Sequence, residues 1–89
     1  MSVGPVTRAE RAAALRAFLR TIQKPGLPVE GLAEDAGLVT SGLIDSLAIL
    51  EIVSWLEERF GVDFARLGLD PGELGSIGSI LDLIERESA

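Results

Sequence analysis

The chain has 89 residues, enough for one domain, and 47% of them are hydrophobic, 25% are charged and the net charge is −6. It contains no cysteine and no histidine, which removes disulfides, thiolate chemistry, histidine-based zinc sites and the commonest general base; we expect no catalytic residue and no metal site. The charge is uneven, with five bases against Glu10 in residues 1–24 and three bases against thirteen acids in residues 25–89, so the body of the protein repels a phosphate backbone and suits a basic partner protein better than a nucleic acid.

In chain order, Met1-Ser2-Val3-Gly4-Pro5 lacks the charged and then apolar regions of a signal peptide. No apolar run approaches the ~20 residues needed to span a bilayer, so the expectation is a cytoplasmic protein without a membrane span. Thr7-Arg8-Ala9-Glu10 reads as a capping box, and Leu15, Phe18, Leu19 and Ile22 follow at helical spacing. A first helix is predicted over 7–23, ended by Pro25 and Gly26. Its arginines, Arg8 to Arg20, are expected to form a solvated basic face that softens repulsion from the acidic body.

Residues 24–44 form a long connection containing Pro25, Pro28, Gly31, Gly37 and Gly42. Connections of this length without regular structure are uncommon in compact domains and are often functional. Leu27, Val29, Leu32, Leu38, Val39, Leu43 and Ile44 are too apolar for a free linker, so the connection should pack across the bundle.

A second helix is predicted from about Asp45 to Phe60, stopped by Gly61, with Ile49, Ile52, Val53, Leu56 and Phe60 facing the core. Leu47, Glu51, Ser54 and Glu58 then share the opposite, solvent-facing side. Asp70-Pro71-Gly72-Glu73-Leu74 suits one short helical turn. Ile77, Ile80, Leu81 and Ile84 define a last helix capped by Ser76. No segment alternates with period two for long enough to be a strand. The fold class is all-α, three main helices and one short one in a bundle.

Ser46 sits where the long connection enters the second helix. The first turn of a helix offers unpaired N–H groups and the positive end of the helix dipole, so an anion attached at Ser46 would be stabilised there. Asp45 is placed to orient a cation or meet a basic partner. Plain N-capping by Asp45 or Ser46 is the bland reading of the pair. For Glu51, Glu57 and Glu58 the bland reading is a solvated helix face, against which stands the exposed Leu47. Trp55 is read as a packing residue at the edge of the core.

Asp45-Ser46-Leu47, in the setting Gly42-Leu43-Ile44-Asp45-Ser46-Leu47, resembles the attachment motif of the acyl carrier protein family, and the resemblance covers nearly the whole chain. It implies a four-helix bundle of acyl-carrier type occupying residues 1–89 as a single domain, a carrier and not an enzyme. A phosphopantetheinyl transferase, with Mg2+ and coenzyme A, would attach 4′-phosphopantetheine to Ser46. The thiol of that arm would hold acyl or aminoacyl groups as thioesters, supplying the sulfur that the chain lacks. Asp45, Leu47, Glu51 and Glu58 match positions by which the family meets its enzymes, with Ser54 on the same face and Glu57 adding to the field. The implied partners are the transferase and the acyl- or aminoacyl-activating and acyl-transferring enzymes, met by a monomer. Ala48 and Ser54 stand where fatty-acid-synthesis members usually carry an acid and a larger apolar residue, and Arg59 interrupts a run of acids. The cargo then belongs to a specialised pathway, whether of fatty acyl, polyketide or, as in peptidyl and D-alanyl carriers, amino acid type. An unmodified helical adaptor that binds through its acidic face is the reading from a different class.

Overall fold

A computed structural model describes residues 7–26 and 28–88, without the side chains of Pro71 and Ser88. Four α-helices follow one another: α1 (Arg8–Ile22), α2 (Ala48–Phe60), α3 (Phe64–Leu67) and α4 (Ile77–Ser88), with 3-10 turns at Val29–Gly31 and Pro71–Leu74. Among the described residues there are no strands, only one isolated bridge between Gly37 and Ser76. Met1 to Pro5 and Leu27, about which the sequence raised expectations, lie outside the described residues.

The start of α1 is fixed by the expected capping box. The Glu10 N–H donates to Thr7 Oγ1 and the Thr7 N–H donates to Glu10 Oε1, both at 3.1 Å. Leu15 and Leu19 are fully buried, while Ala12, Phe18 and Ile22 pack against the core from its margin. Gln23 turns extended at φ −71° and ψ 152°, as the chain approaches Pro25.

The long connection is a layer of the core. Val29, Leu38, Leu43 and Ile44 are all buried, at 0–1% exposure. Val39 departs from the expectation: it is 42% exposed, because the turn at residues 37–42 carries it outward. Arg16 donates from its guanidinium to the carbonyls of Val29 (2.7 Å) and Leu32 (3.0 Å), clamping the first 3-10 turn on α1. Further along, Leu38 N–H donates to Gly75 C=O at 2.8 Å and Lys24 N–H to Leu43 C=O at 2.7 Å. Backbone groups inside a folded protein must find partners, and a buried loop finds them piecemeal in this way.

At the start of α4, Ser76 Oγ accepts the Ser79 N–H (3.2 Å), as expected of the cap. The Gly78 N–H, which has no partner within its own helix, donates to the Glu34 carbonyl at 2.8 Å. A Cβ at Gly78 would lie 3.2 Å from that oxygen, so the close approach of loop and helix favours glycine here. Ile77, Ile80, Leu81, Leu83 and Ile84 fill the centre of the molecule. At the end of α2, Gly61 adopts φ +69°, and its N–H and that of Val62 both donate to the Leu56 carbonyl.

Two boundaries differ from the sequence reading. The regular part of α2 begins at Ala48, three residues beyond Asp45, because Asp45 closes a turn of its own ahead of the helix. The single short helical segment expected near residue 70 is two: α3, capped by Asp63 Oδ1 on the Arg66 N–H (3.2 Å), and the 3-10 turn capped by Asp70 Oδ1 on the Gly72 N–H (2.9 Å).

Arginines then lace the outside of one side. Arg8 meets Glu34 (3.1 Å), Asp82 (3.0 Å) and Glu85 (3.0 Å), so α1 is not the merely solvated basic face expected of it. Glu85, then Asp82 and Glu34, hold the Arg8 guanidinium even more firmly protonated than usual. Arg20 pairs with Glu30, Arg86 with Glu73, and Arg66 with Glu87 at 3.0 Å. The Glu30 carboxyl is held below its usual range, first by its own backbone N–H and then by Arg20. Among the described residues no helix is long and apolar enough to cross a membrane.

Candidate functional site

The approach to α2 is set by one glycine and one carboxylate. Gly42 adopts φ +85°, a conformation that L side chains resist, and turns the chain so that Leu43 and Ile44 enter the core. The next three residues, Asp45, Ser46 and Leu47, are all exposed. Asp45 Oδ1 accepts the Ala48 N–H at 3.0 Å, the capping bond that the bland reading of Asp45-Ser46 anticipates. The turn continues through Ile49 N–H to Ser46 C=O (3.4 Å) and Leu50 N–H to Leu47 C=O (3.2 Å). Ser46 therefore stands just ahead of the helix, with its hydroxyl in no hydrogen bond among the described residues. The Ser46 and Leu47 N–H groups, likewise, donate to no acceptor among the described residues.

A cavity of about 430 Å³ opens beside Ser46, lined also by Gly37, Val39, Thr40, Ile49, Leu50 and Gly75. No charged side chain lines it. It is assembled from the turn at residues 37–40, the first turn of α2 and the residue before the α4 cap. The bond from Leu38 N–H to Gly75 C=O holds these pieces in register.

The chain matches the family described as "Phosphopantetheine attachment site" over residues 18–84. It belongs to that family. Nothing among curated proteins or solved structures matches it. Members of the family are acyl-carrier-type proteins that bear covalent 4′-phosphopantetheine and work with a transferase and with biosynthetic enzymes.

The carrier's other hydroxyls in the matched stretch are differently placed. Thr21 donates to the Phe18 carbonyl, Ser41 both donates to Leu38 C=O and accepts the Leu43 N–H, and Ser76 and Ser79 bond to one another. Thr40 and Ser54 are exposed and make no such bond, but neither lies at a helix mouth. Thr40 lines the same cavity as Ser46, whereas Ser54 is in mid-helix, where its own N–H has a partner.

The residues expected to form a partner face lie at the entrance to α2 and along it. Leu47 is 75% exposed, and Glu51, Ser54, Glu57 and Glu58 are all exposed. A second groove, of about 450 Å³, brings Glu51, Ser54 and Glu58 together with Leu50, Trp55 and Phe18; Leu47 and Glu57 do not line it. Trp55 packs at the core margin as expected, stacked on Phe18 of α1 with ring centroids 4.9 Å apart and planes 9° from parallel. Phe60 meets Trp55 edge-on at 5.3 Å. Among the described residues the carboxylates of Glu51, Glu57 and Glu58 make no hydrogen bond or ion pair.

Sequence reasoning passed over Leu50, which is 62% exposed and lines both hollows. Its signal was present: it lies three residues after Leu47 and four before Ser54, on the same side of the helix. Gly37, Val39, Thr40 and Gly75 carried no such signal, because they reach the site through tertiary packing alone.

Proposed function

We propose that this carrier bears 4′-phosphopantetheine on Ser46 and presents acyl intermediates to the enzymes of a specialised pathway. The observation that carries the assignment is the placement of Ser46. It is the exposed hydroxyl at the mouth of a helix, within the matched residues and beside an uncharged cavity, and among the described residues neither it nor the Ser46 and Leu47 N–H groups have a partner.

These residues suit the group. The Ser46 and Leu47 N–H groups lie at the positive end of α2, which favours the anionic phosphodiester. Val39, Ile49, Leu50 and the two glycines of the cavity offer apolar surface to the uncharged remainder of the arm. When bound, the group supplies the acyl-accepting thiol that the chain itself lacks. Asp45 keeps the turn in shape through its bond to Ala48, and its remaining carboxylate oxygen is open to the Mg2+ that a transferase employs. The chain contributes position and recognition, and its partners perform the chemistry.

Acyl cargo is favoured over aminoacyl cargo because the cavity beside Ser46 has no carboxylate. An α-ammonium entering it would be desolvated without a counter-charge. Leu47, Glu51, Ser54, Glu57 and Glu58 serve as the docking face. Unpaired acids there favour fast encounter with basic enzymes over tight binding, which suits a carrier that must release each partner in turn. Such work fits a cytoplasmic monomer, free to present one face to many enzymes.

The test is the intact mass after incubation with coenzyme A, Mg2+ and a broad-specificity phosphopantetheinyl transferase. One phosphopantetheine should be gained by the unaltered chain and none by Ser46→Ala. A folded protein that gains nothing, or a Ser46→Ala variant that still gains it, overturns the assignment. Loading by an acyl-activating but not by an aminoacyl-activating enzyme is expected next.

A further inference from the structure

We infer that Thr40 is a positioning residue for the arm: its hydroxyl accepts a hydrogen bond from an amide N–H of 4′-phosphopantetheine and so holds the arm in the cavity beside Ser46. The inference rests on the function proposed above. It adds a residue that lies outside the attachment motif, on the turn at residues 37–42.

The cavity offers the arm little but apolar surface. Of the side chains that line it, only those of Ser46 and Thr40 carry a polar atom, and Ser46 is the point of attachment. An amide that leaves water for such a surface is costly to bury unless it finds a new partner. The backbone of the wall is largely committed: the carbonyls of Gly37, Val39 and Gly75 already accept the N–H groups of Ser41 (3.0 Å), Gly42 (3.0 Å) and Leu38 (2.8 Å). The neighbouring Ser41 hydroxyl is engaged as well, with Leu38 C=O and the Leu43 N–H. A threonine hydroxyl can both donate and accept, and that of Thr40 has no partner among the described residues.

Gly37 gives that hydroxyl its place. The residue does not have a positive φ, so its backbone conformation does not call for glycine. A Cβ there would nonetheless overlap Thr40 Oγ1, and its three nearest atoms would all belong to the Thr40 side chain. The missing Cβ is what lets the hydroxyl lie against the turn, and a hydroxyl merely solvated at the surface would need no such space. The turn is itself tied to the start of α4 through the Leu38–Gly75 bond and the bridge between Gly37 and Ser76. A β-branched side chain has few rotamers to choose from, so Thr40 is presented to the cavity from a fixed wall.

The test uses the full chain loaded from coenzyme A whose arm amides carry 15N, and it reads the hydrogen exchange of those amides by NMR. Intact mass reports separately that the arm is attached. One arm N–H should exchange at least about threefold more slowly than the same group of free coenzyme A. Thr40→Val, which keeps the shape and removes the hydroxyl, should abolish that protection, and Thr40→Ser should retain it. Gly37→Ala, which displaces the hydroxyl without removing it, should weaken the protection. A loaded chain with no protected arm amide, protection that survives Thr40→Val, or the same loss in Thr40→Ser as in Thr40→Val overturns the role of Thr40 and leaves attachment at Ser46 standing. A folded chain that never gains the arm overturns the proposed function, and this inference with it.

Discussion

The two flanks of the molecule treat charge in opposite ways. On the flank built from α1, the long connection and α4, carboxylates are engaged: Glu34, Asp82 and Glu85 converge on Arg8, Glu30 meets Arg20, and Glu73 meets Arg86. On the outer face of α2, Glu51, Glu57 and Glu58 have no partner among the described residues, and Leu47 and Leu50 stand exposed beside them. One flank uses charge to lace its own elements, and the other leaves charge and apolar surface available to other molecules. A net charge of −6 is therefore a poor guide by itself, because acids that lace the fold count in it equally with the three that stand together without an ion pair on α2.

The contrast can be broken or sharpened by substitution. The largest effect on stability belongs to the core that the laced flank surrounds: Ile80→Ala, at a fully buried position, should cost about 2–5 kcal/mol in chemical denaturation. Gly42→Ala places a side chain at φ +85° and should cost about 1–2 kcal/mol, with the attachment rate falling as the turn before Ser46 is strained. Arg8→Met should lower the melting temperature by a smaller amount. That loss should shrink with added salt, since the three pairs it removes are exposed and screened.

On the other flank, Glu57→Gln should leave stability within about ±0.5 kcal/mol. It should lower the kcat/KM of arm attachment and flatten its salt dependence; an equal fall at high salt would contradict an electrostatic role. The smallest effect concerns pH. The Glu30 carboxyl has its pKa depressed in the folded state, so its stabilising contribution is present above its ordinary value of 4.5 and fades as pH falls below it. Glu30→Gln should therefore narrow the stability difference between pH 6 and pH 3 slightly, as read from paired melting curves.

Much of this architecture was legible in the residues. The 3.6-residue spacing of Leu15, Leu19, Ile52, Leu56, Ile77, Ile80 and Ile84 identified the three long helices and their buried faces, and Thr7–Glu10 and Ser76 marked two of their beginnings. The start of α2 was placed three residues early because an aspartate side chain that caps a helix can do so across a preceding turn. α3, four residues long, has too few apolar positions to show a period. The hollow beside Ser46 was out of reach for a different reason: Gly37 and Gly75 meet there across the fold, and only packing brings them together. Arg8 likewise finds Asp82 and Glu85 more than seventy positions away.

Those distant contacts govern how the chain is made. During synthesis the polypeptide emerges with α1, the long connection and α2 first, yet Leu38 depends on Gly75, the Glu34 carbonyl on Gly78, and Arg8 on Asp82 and Glu85. The centre of the core is itself supplied by Ile77 to Ile84. A nascent chain halted before residue 77 can lay the first turn of its connection on α1 but has no α4 to receive the rest, so Ser46 acquires its full setting only when α4 has left the ribosome.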